Sequence, residues 1–329
     1  MKAKYLHFTE FGNPREVLKI AHKNIHPPKD NNILVRMIAR PINPSDLIPI
    51  RGAYSHRIPL PNVPGYEGVG IVEDVGPSAP HHLLGKRVLP LRGDGTWQEF
   101  VTTSADLAIE IPDSIDDVIA AQMYINPVTA WVICTEELKL AHGDTLLVNA
   151  CGSAIGHIFA QLSNILGFRL IAVTRNDTHT KQLKNLGASY VINTAGEPLY
   201  ETVMELTNGT GATTAIDSIG GADGNELVFS VRPKGTYLTL GLLSGVQVDW
   251  GKITNEANVN IRLFHLRHWN DKISVHTWQE TFQQLITLIQ EEKLKLMQPQ
   301  SYFDLTKIDE AVRMVESKKG NQGKVMLTN

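Results

Sequence analysis

The sequence predicts an α/β protein in which a doubly wound parallel sheet is combined with a second, mostly-β domain. Three observations carry this reading. The first third of the chain is rich in Pro and Gly between short apolar segments; from about Ile119 apolar runs alternate with stretches of helical period; and one apolar run passes through a glycine-containing turn directly into a helix.

The elements follow in order. After Met1, the residues Lys2, Ala3 and Lys4 open an alternating, strand-like stretch, and short strands are expected at Ile33 to Ala39, Gly68 to Val75, Arg87 to Leu91 and Phe100 to Thr102. Pro41, Pro44, Pro49, Pro59, Pro61 and Pro64 forbid a long helix among them. Strands are then expected at Thr145 to Asn149, Leu170 to Thr174, Tyr190 to Asn193, Thr213 to Asp217, Thr236 to Leu240 and near Asn258 to Phe264. Helices fall between them at Ile155 to Leu166, Thr178 to Leu186, Leu199 to Thr207 and Asn225 to Val231. Repeated βα units imply a parallel sheet covered on both faces. After Trp269 come an amphipathic helix from Thr277 to Lys293, a break at Pro299, a helix from Ile308 to Ser317 and a closing strand from Lys324 to Leu327. That strand has no neighbours of its own, so it is expected to return to the first domain. The expected division is 1–118 with 271–329 for the β-rich domain and 119–270 for the parallel-sheet domain.

Composition narrows the function. With 42% hydrophobic and 20% charged residues the chain has the material for two cores, which excludes a disordered or fibrous protein. Thirty-one basic against 34 acidic residues leave a net charge of −3, without the basic excess that a phosphate-tracking nucleic-acid surface needs. Two cysteines, Cys134 and Cys151, make neither a disulfide framework nor a four-thiolate metal site. With no apolar run of about 18 residues and no leader-like segment after Met1, the expectation is a soluble cytoplasmic protein.

The turn Ala150-Cys151-Gly152-Ser153-Ala154-Ile155-Gly156 stands where a dinucleotide's pyrophosphate meets the amides of a helix N-terminus, although an ordinary strand-to-helix turn would have much the same sequence. Arg175 stands just past the next strand. An acidic residue there would bind the ribose 2′-hydroxyl of NAD, whereas an arginine pairs with the 2′-phosphate of NADP. NADPH is therefore the expected cofactor, with a solvated surface charge as the plainer reading of Arg175. Nearby Asp177 is read as the N-cap of the following helix.

INPSD (Ile42 to Asp46), RGAY (Arg51 to Tyr54), PGYEGVG (Pro64 to Gly70), VGP (Val75 to Pro77), GTWQEF (Gly95 to Phe100), INPVTAW (Ile125 to Trp131), LKNLGASYVINT (Leu183 to Thr194) and GKVML (Gly323 to Leu327) occur in an order that resembles the medium-chain dehydrogenase/reductase superfamily. The resemblance implies a Rossmann domain for NADPH and a GroES-like catalytic domain. At the positions where zinc-dependent relatives carry a cysteine and a histidine ligand, this chain has Asn43 and Tyr66, and no cysteine precedes Cys134, so the resemblance implies a zinc-free enzyme. His81, His82, His265 and His268 lack a third ligand nearby and read as surface or core histidines. Without a metal, alcohol oxidation loses its means of ionising the hydroxyl, and reduction of an electron-poor acceptor is the chemistry left.

The zinc-free relatives are NADPH:quinone oxidoreductases and mitochondrial-type 2-enoyl thioester reductases, and INPSD, RGAY and Asn126-Pro127-Val128-Thr129-Ala130 are closer to the latter. Tyr54 would then be the acid, a phenol that stays protonated at neutral pH and donates to the thioester carbonyl. Packing without acid chemistry is its alternative role and matches the quinone mechanism. Asn126 is the second catalytic candidate, with a plain reading as a helix N-cap beside Pro127. The resemblance further implies cofactor contacts from Asn43, Asn126 and Thr129, from Gly152, Ser153, Ala154 and Ile155 at the pyrophosphate, and from Arg175. It adds Gly241, Leu242, Leu243 and Ser244, then Phe264, His265 and Leu266, and Lys324. Trp97 and Trp269 are candidates for an acyl pocket or for simple core packing. The strand near Asn258 to Phe264 is expected at a sheet edge, pairing with its mate in a homodimer. A non-enzymatic NADPH-binding protein is the third reading.

Overall fold

A computed structural model describes residues 2–317 and 323–329. The described strands are, in order, β1 (Lys2–His7), β2 (Lys19–Asn24), β3 (Asn32–Pro41), β4 (Val69–Val75), β5 (Arg87–Leu89), β6 (Phe100–Ser104) and β7 (Ile109–Glu110). There follow β8 (Thr145–Val148), β9 (Arg169–Thr174), β10 (Tyr190–Asn193), β11 (Ala212–Asp217), β12 (Val231–Thr239), β13 (Asn260–Leu263), β14 (Pro299–Asp304) and β15 (Lys324–Thr328). The chain divides into two compact units, one of Met1–Ile125, Ile273–Glu291 and Leu296–Asn329, the other of Asn126–Lys272 and Glu292–Lys295.

In the first unit β1 and β2 form an antiparallel hairpin, and the main sheet runs β14-β15-β3-β4-β5-β7, with β6 also paired to β3. The C-terminal strand β15 lies between two partners, parallel to β14 and antiparallel to β3, with Leu327 opposite Arg40. Ile33, Val35 and Met37 of β3, all fully buried, pack on Val72, Val88 and Val101. A second cluster joins Leu6, Phe8, Ile50 and Trp97 to Val325 and Leu327. Each such apolar side chain removed from water contributes roughly 1.5–3 kcal/mol, which holds β15 in place. Trp97 belongs to this core.

The second unit is a six-stranded sheet of order β10-β9-β8-β11-β12-β13, parallel throughout. The chain winds outward from β8 to β10 and then restarts beside β8 at β11. This reversal leaves a crevice beyond the carboxyl ends of β8 and β11, the place where open parallel sheets bind ligands. Leu147, Ile171, Ile192, Ala215 and Tyr237 form its core with Leu199, Val203, Leu227 and Val228 from the covering helices. β10 and β13 are the edge strands, and all four residues of β13 are exposed.

Several elements differ from the sequence reading. The proline-rich segment carries a helix, Pro44–Ile50, with Pro44 in its first turn where no amide partner is lost. Pro299 opens a strand, β14, instead of only breaking the chain. The helix expected at Asn225 to Val231 is Gly221–Phe229, and Val231 already belongs to β12. Ile125–Val132, Trp250–Glu256 and Leu266–Asn270 are further helices.

Candidate functional site

In the second unit, β8 ends at Val148 and the chain turns through Ala150, whose φ of 53° is left-handed, before Ser153 caps the Ala154–Leu166 helix by accepting from the Gly156 amide at 3.3 Å. Gly156 has to be glycine: a Cβ there would stand 2.4 Å from the Cys151 backbone, so the helix closes directly onto the turn. The first amides of a helix have no intrahelical acceptor and carry the positive end of its dipole. Gly152, Ser153, Ala154 and Ile155 are all partly exposed at this end. The donor chemistry and the small residues fit a pyrophosphate.

Three loops at the carboxyl end of this sheet are fixed by one buried network. Asn149 Nδ2 donates to Asp217 Oδ1 at 2.5 Å and its Oδ1 accepts from the Ser218 amide at 2.8 Å, while the Tyr237 hydroxyl donates to Asp217 Oδ2 at 2.6 Å. The amides of Ile219 and Gly220 also donate to Asp217. Burial and the carboxylate beside it push the Tyr237 phenol well above its ordinary pKa, so it remains a donor. The loop after β12 is hung on the same point: Leu243 N donates to Ser218 O and Ser244 N to Ile219 O, each at 3.0 Å. Gly241 is half-buried, while Leu242 and Leu243 are 40% and 59% exposed, an apolar loop presented to solvent at the carboxyl end of β12.

Arg175, exposed immediately past the end of β9, forms no ion pair among the described residues. Asp177 is not the helix N-cap: Asn176 accepts from Thr178 N at 3.0 Å, and Asp177 accepts instead from the Thr180 hydroxyl at 3.3 Å. The cause is an extra 3-10 turn, Asp177–His179, which delays the Thr180–Leu186 helix. Asn126 is likewise no N-cap but the second residue of the Ile125–Val132 helix, half-buried, and Thr129 is buried one turn on. Phe264 is buried behind β13, and His265 Nδ1 caps the helix opened by Leu266, accepting from Arg267 N at 3.2 Å. Trp269 is core, with Nε1 donating to Glu136 at 2.9 Å.

In the first unit Asn43, Asp46, Glu67 and Lys324 form a buried cluster. Asn43 Nδ2 donates to Glu67 Oε1 at 2.6 Å, and the Lys324 ammonium donates to Asn43 Oδ1. Glu67 Oε2 accepts from the amides of Tyr124 and Ile125, at 3.1 and 2.8 Å, so it caps the helix that carries Asn126. Asp46 accepts from the amides of Asn43 and Tyr66. Burial raises the Asp46 carboxyl to about 7, pushes Glu67 upward and lowers Lys324, while the ammonium opposes both carboxyl shifts. Lys324 and Asn43 are thus engaged with each other in the interior.

Zinc does not fit this arrangement. Asn43 has spent its amide oxygen on an ammonium, the half-exposed Tyr66 phenol is raised to about 12 by burial, and both cysteines are buried thiols, with Cys151 pushed up to about 12. Among the described residues no three His, Cys, Asp or Glu side chains are grouped to hold a metal. Tyr54 lies half-buried in the turn after the Pro44–Ile50 helix, with the Arg57 guanidinium 4.2 Å above its ring. Asp217, Tyr237 and Glu67 had no signal in the sequence beyond residue type, because the side chains they bond are distant along the chain.

Residues 29–113 match the family model of the alcohol dehydrogenase GroES-like domain and residues 154–291 that of zinc-binding dehydrogenases. The mitochondrial enoyl-[acyl-carrier-protein] reductase of Xenopus tropicalis is 33% identical over 251 residues, 74% of this chain and 71% of that protein. A crystal structure from Bacillus thuringiensis, provisionally described as an NADPH:quinone reductase, superposes with a TM-score of 0.98 at 64% identity, covering 100% and 99% of the two chains. The quinone oxidoreductase of Escherichia coli, solved with NADPH, shares the fold at a TM-score of 0.89, 24% identity and 99% and 100% coverage. On these matches the chain belongs to the medium-chain dehydrogenase/reductase superfamily.

Proposed function

We propose that the protein is an NADPH-dependent, zinc-independent oxidoreductase whose acceptor is the conjugated double bond of a 2-enoyl thioester. One observation carries the cofactor: a tight, small-residue turn at a helix N-terminus stands one strand from an exposed arginine that forms no ion pair among the described residues, an arrangement matched to a pyrophosphate and a 2′-phosphate together. Relatives described as NADPH enzymes support it.

When bound, NADPH supplies the hydride. The protein's own part begins with Gly152 to Ile155 at the pyrophosphate and Arg175 at the 2′-phosphate. Gly241 to Ser244 and Phe264 to Leu266 are assigned to the nicotinamide ribose, and Asn126 and Thr129 to the nicotinamide. Tyr54 donates a hydrogen bond to the thioester carbonyl as negative charge develops there, and then its proton. Arg57 stabilises the phenolate left behind, its cation lying against the ring. Asn43 and Lys324, being interior, act by holding Glu67 and through it the helix of Asn126.

The enoyl reading rests on the curated relatives, which include the frog enoyl reductase. A quinone acceptor is favoured by the description of the 64%-identical Bacillus protein. Turnover of crotonyl thioester under NADPH, compared with 1,4-benzoquinone and 9,10-phenanthrenequinone, separates them; reduction of quinones alone sinks the enoyl assignment. We further assign a homodimer through β13, whose exposed Ile261 and Leu263 would be covered by a second copy, and a cytoplasmic location, in keeping with two free cysteines. No described helix is long and apolar enough to cross a membrane.

A further inference from the structure

Gly152, in the phosphate turn, is covered by a side chain from another element. A Cβ placed on it would meet His179 Cδ2 at 2.6 Å, so the imidazole of His179 lies directly on the turn. His179 ends the 3-10 turn that follows Arg175, which brings the two basic side chains to the same end of β9. Behind it stands His157, in the first turns of the Ala154–Leu166 helix, its ring edge-on to His179 with centroids 5.5 Å apart. His157 is 5% exposed, its Nε2 has no hydrogen-bond partner among the described residues, and burial together with His179 lowers it to about 4. It is therefore a neutral brace. The His179 ring is half-buried between Gly152 and His157, and its nitrogens make no hydrogen bond among the described residues.

We propose that His179 is a specificity-determining residue of the cofactor site, donating from its ring to the 2′-phosphate of NADPH alongside Arg175. The inference rests on the NADPH reading above. A ring already held between Gly152 and His157 has little freedom left to lose on binding, and an imidazole N–H donating to a phosphate makes a charge-assisted bond. The charged groups nearest it along the chain are Arg175, Asp177 and Lys181, and His157 packs behind it; Asp177 is turned to the Thr180 hydroxyl. The extra turn that displaced Asp177 from its capping position is what carries His179 onto Gly152.

The test compares dissociation constants of NADPH and NADH, read by nicotinamide fluorescence, for wild type, His179→Ala and His179→Lys. The expected result is a rise of at least 5-fold for NADPH in His179→Ala, a change under 2-fold for NADH, and recovery of NADPH affinity in His179→Lys. Unchanged NADH binding certifies that the variant is folded. Equal weakening of both cofactors assigns the ring to the adenosine or the turn itself and overturns the proposal, as does an unchanged NADPH affinity. A wild type that prefers NADPH while His179→Ala keeps that preference refutes this inference alone; a wild type without the preference refutes it together with the functional reading.

Discussion

The Tyr237 hydroxyl donates to Asp217 Oδ2 at 2.6 Å, tying the middle of β12 to the last residue of β11. Asp217 in turn holds Asn149 and the amides at 219 and 220, so one carboxylate sets the spacing of three loops. Removing one donor leaves a buried acceptor short of a partner, which costs about 1–3 kcal/mol. Tyr237→Phe is expected to lose that much stability in urea denaturation and to weaken NADPH several-fold. A variant as stable as wild type would show that the network is not under tension from its burial.

Arg175→Ala is expected to weaken NADPH by at least about ten-fold, roughly 1.4 kcal/mol or more, and to leave NADH within two-fold. Among the described residues the arginine has no ion-pair partner to lose, so the effect reads the cofactor contact directly. Equal effects on both cofactors would remove the 2′-phosphate assignment.

Tyr54→Phe deletes the donor and keeps the ring on which Arg57 rests. A loss of at least about ten-fold in kcat with crotonyl thioester is expected, with the dissociation constant of NADPH unchanged. An unchanged kcat would leave Tyr54 a packing residue. Arg57→Leu is expected to lower kcat in the same direction by a smaller factor.

His157 makes stability depend on pH. Its folded value of about 4 lies below the ordinary 6.5, so the neutral form is favoured by the fold; its contribution is complete above pH 6.5 and is lost as pH falls toward 4. The full span corresponds to roughly 3 kcal/mol at most. Denaturation midpoints of wild type and His157→Gln, measured at pH 7 and pH 4.5, are expected to show a smaller acid loss in the variant. Parallel losses would place the acid sensitivity elsewhere.

Metal removal is expected to change nothing. Dialysis against a chelator, followed by assay with and without added zinc, should give the same rates, and elemental analysis should find far less than one zinc per chain. Asn43 and Lys324 supply the reason, since an ammonium already takes the amide oxygen that a cation would need.

Much of this was legible in the residues. The alternation of apolar runs and helical periods placed the strands of the parallel sheet to within a residue or two, with Tyr190–Asn193 unchanged, except that β12 begins at Val231, five residues before the expected Thr236; strands buried on both faces announce themselves by composition. β14 was hidden by Pro299, yet a proline is tolerated at the first residue of an edge strand, and β14 is the edge. Helix Gly221–Phe229 was displaced because Gly220, Gly221 and Gly224 argue against a helix start by propensity. Tertiary packing overrides this: a Cβ on Gly224 would meet Asp217 Oδ2 at 2.5 Å, so the glycine serves the carboxylate. The turn from β8 into the Ala154–Leu166 helix was readable locally. Asp217 with Tyr237, and Glu67 with Lys324, were not, because each pair is made only when separate strands or loops come together.

The position of β15 sets a timetable for synthesis. β3 pairs on one edge with residues made long after it, and the β3–β15–β14 part of the first unit's sheet cannot form until residues 324–328 emerge. The parallel sheet, by contrast, has all its strands once Leu263 is made. The nascent chain therefore passes through a stage in which the second unit's strands are complete while the first still exposes an unpaired strand edge and the apolar faces of Ile42, Leu47 and Trp97 that Val325 and Leu327 will cover.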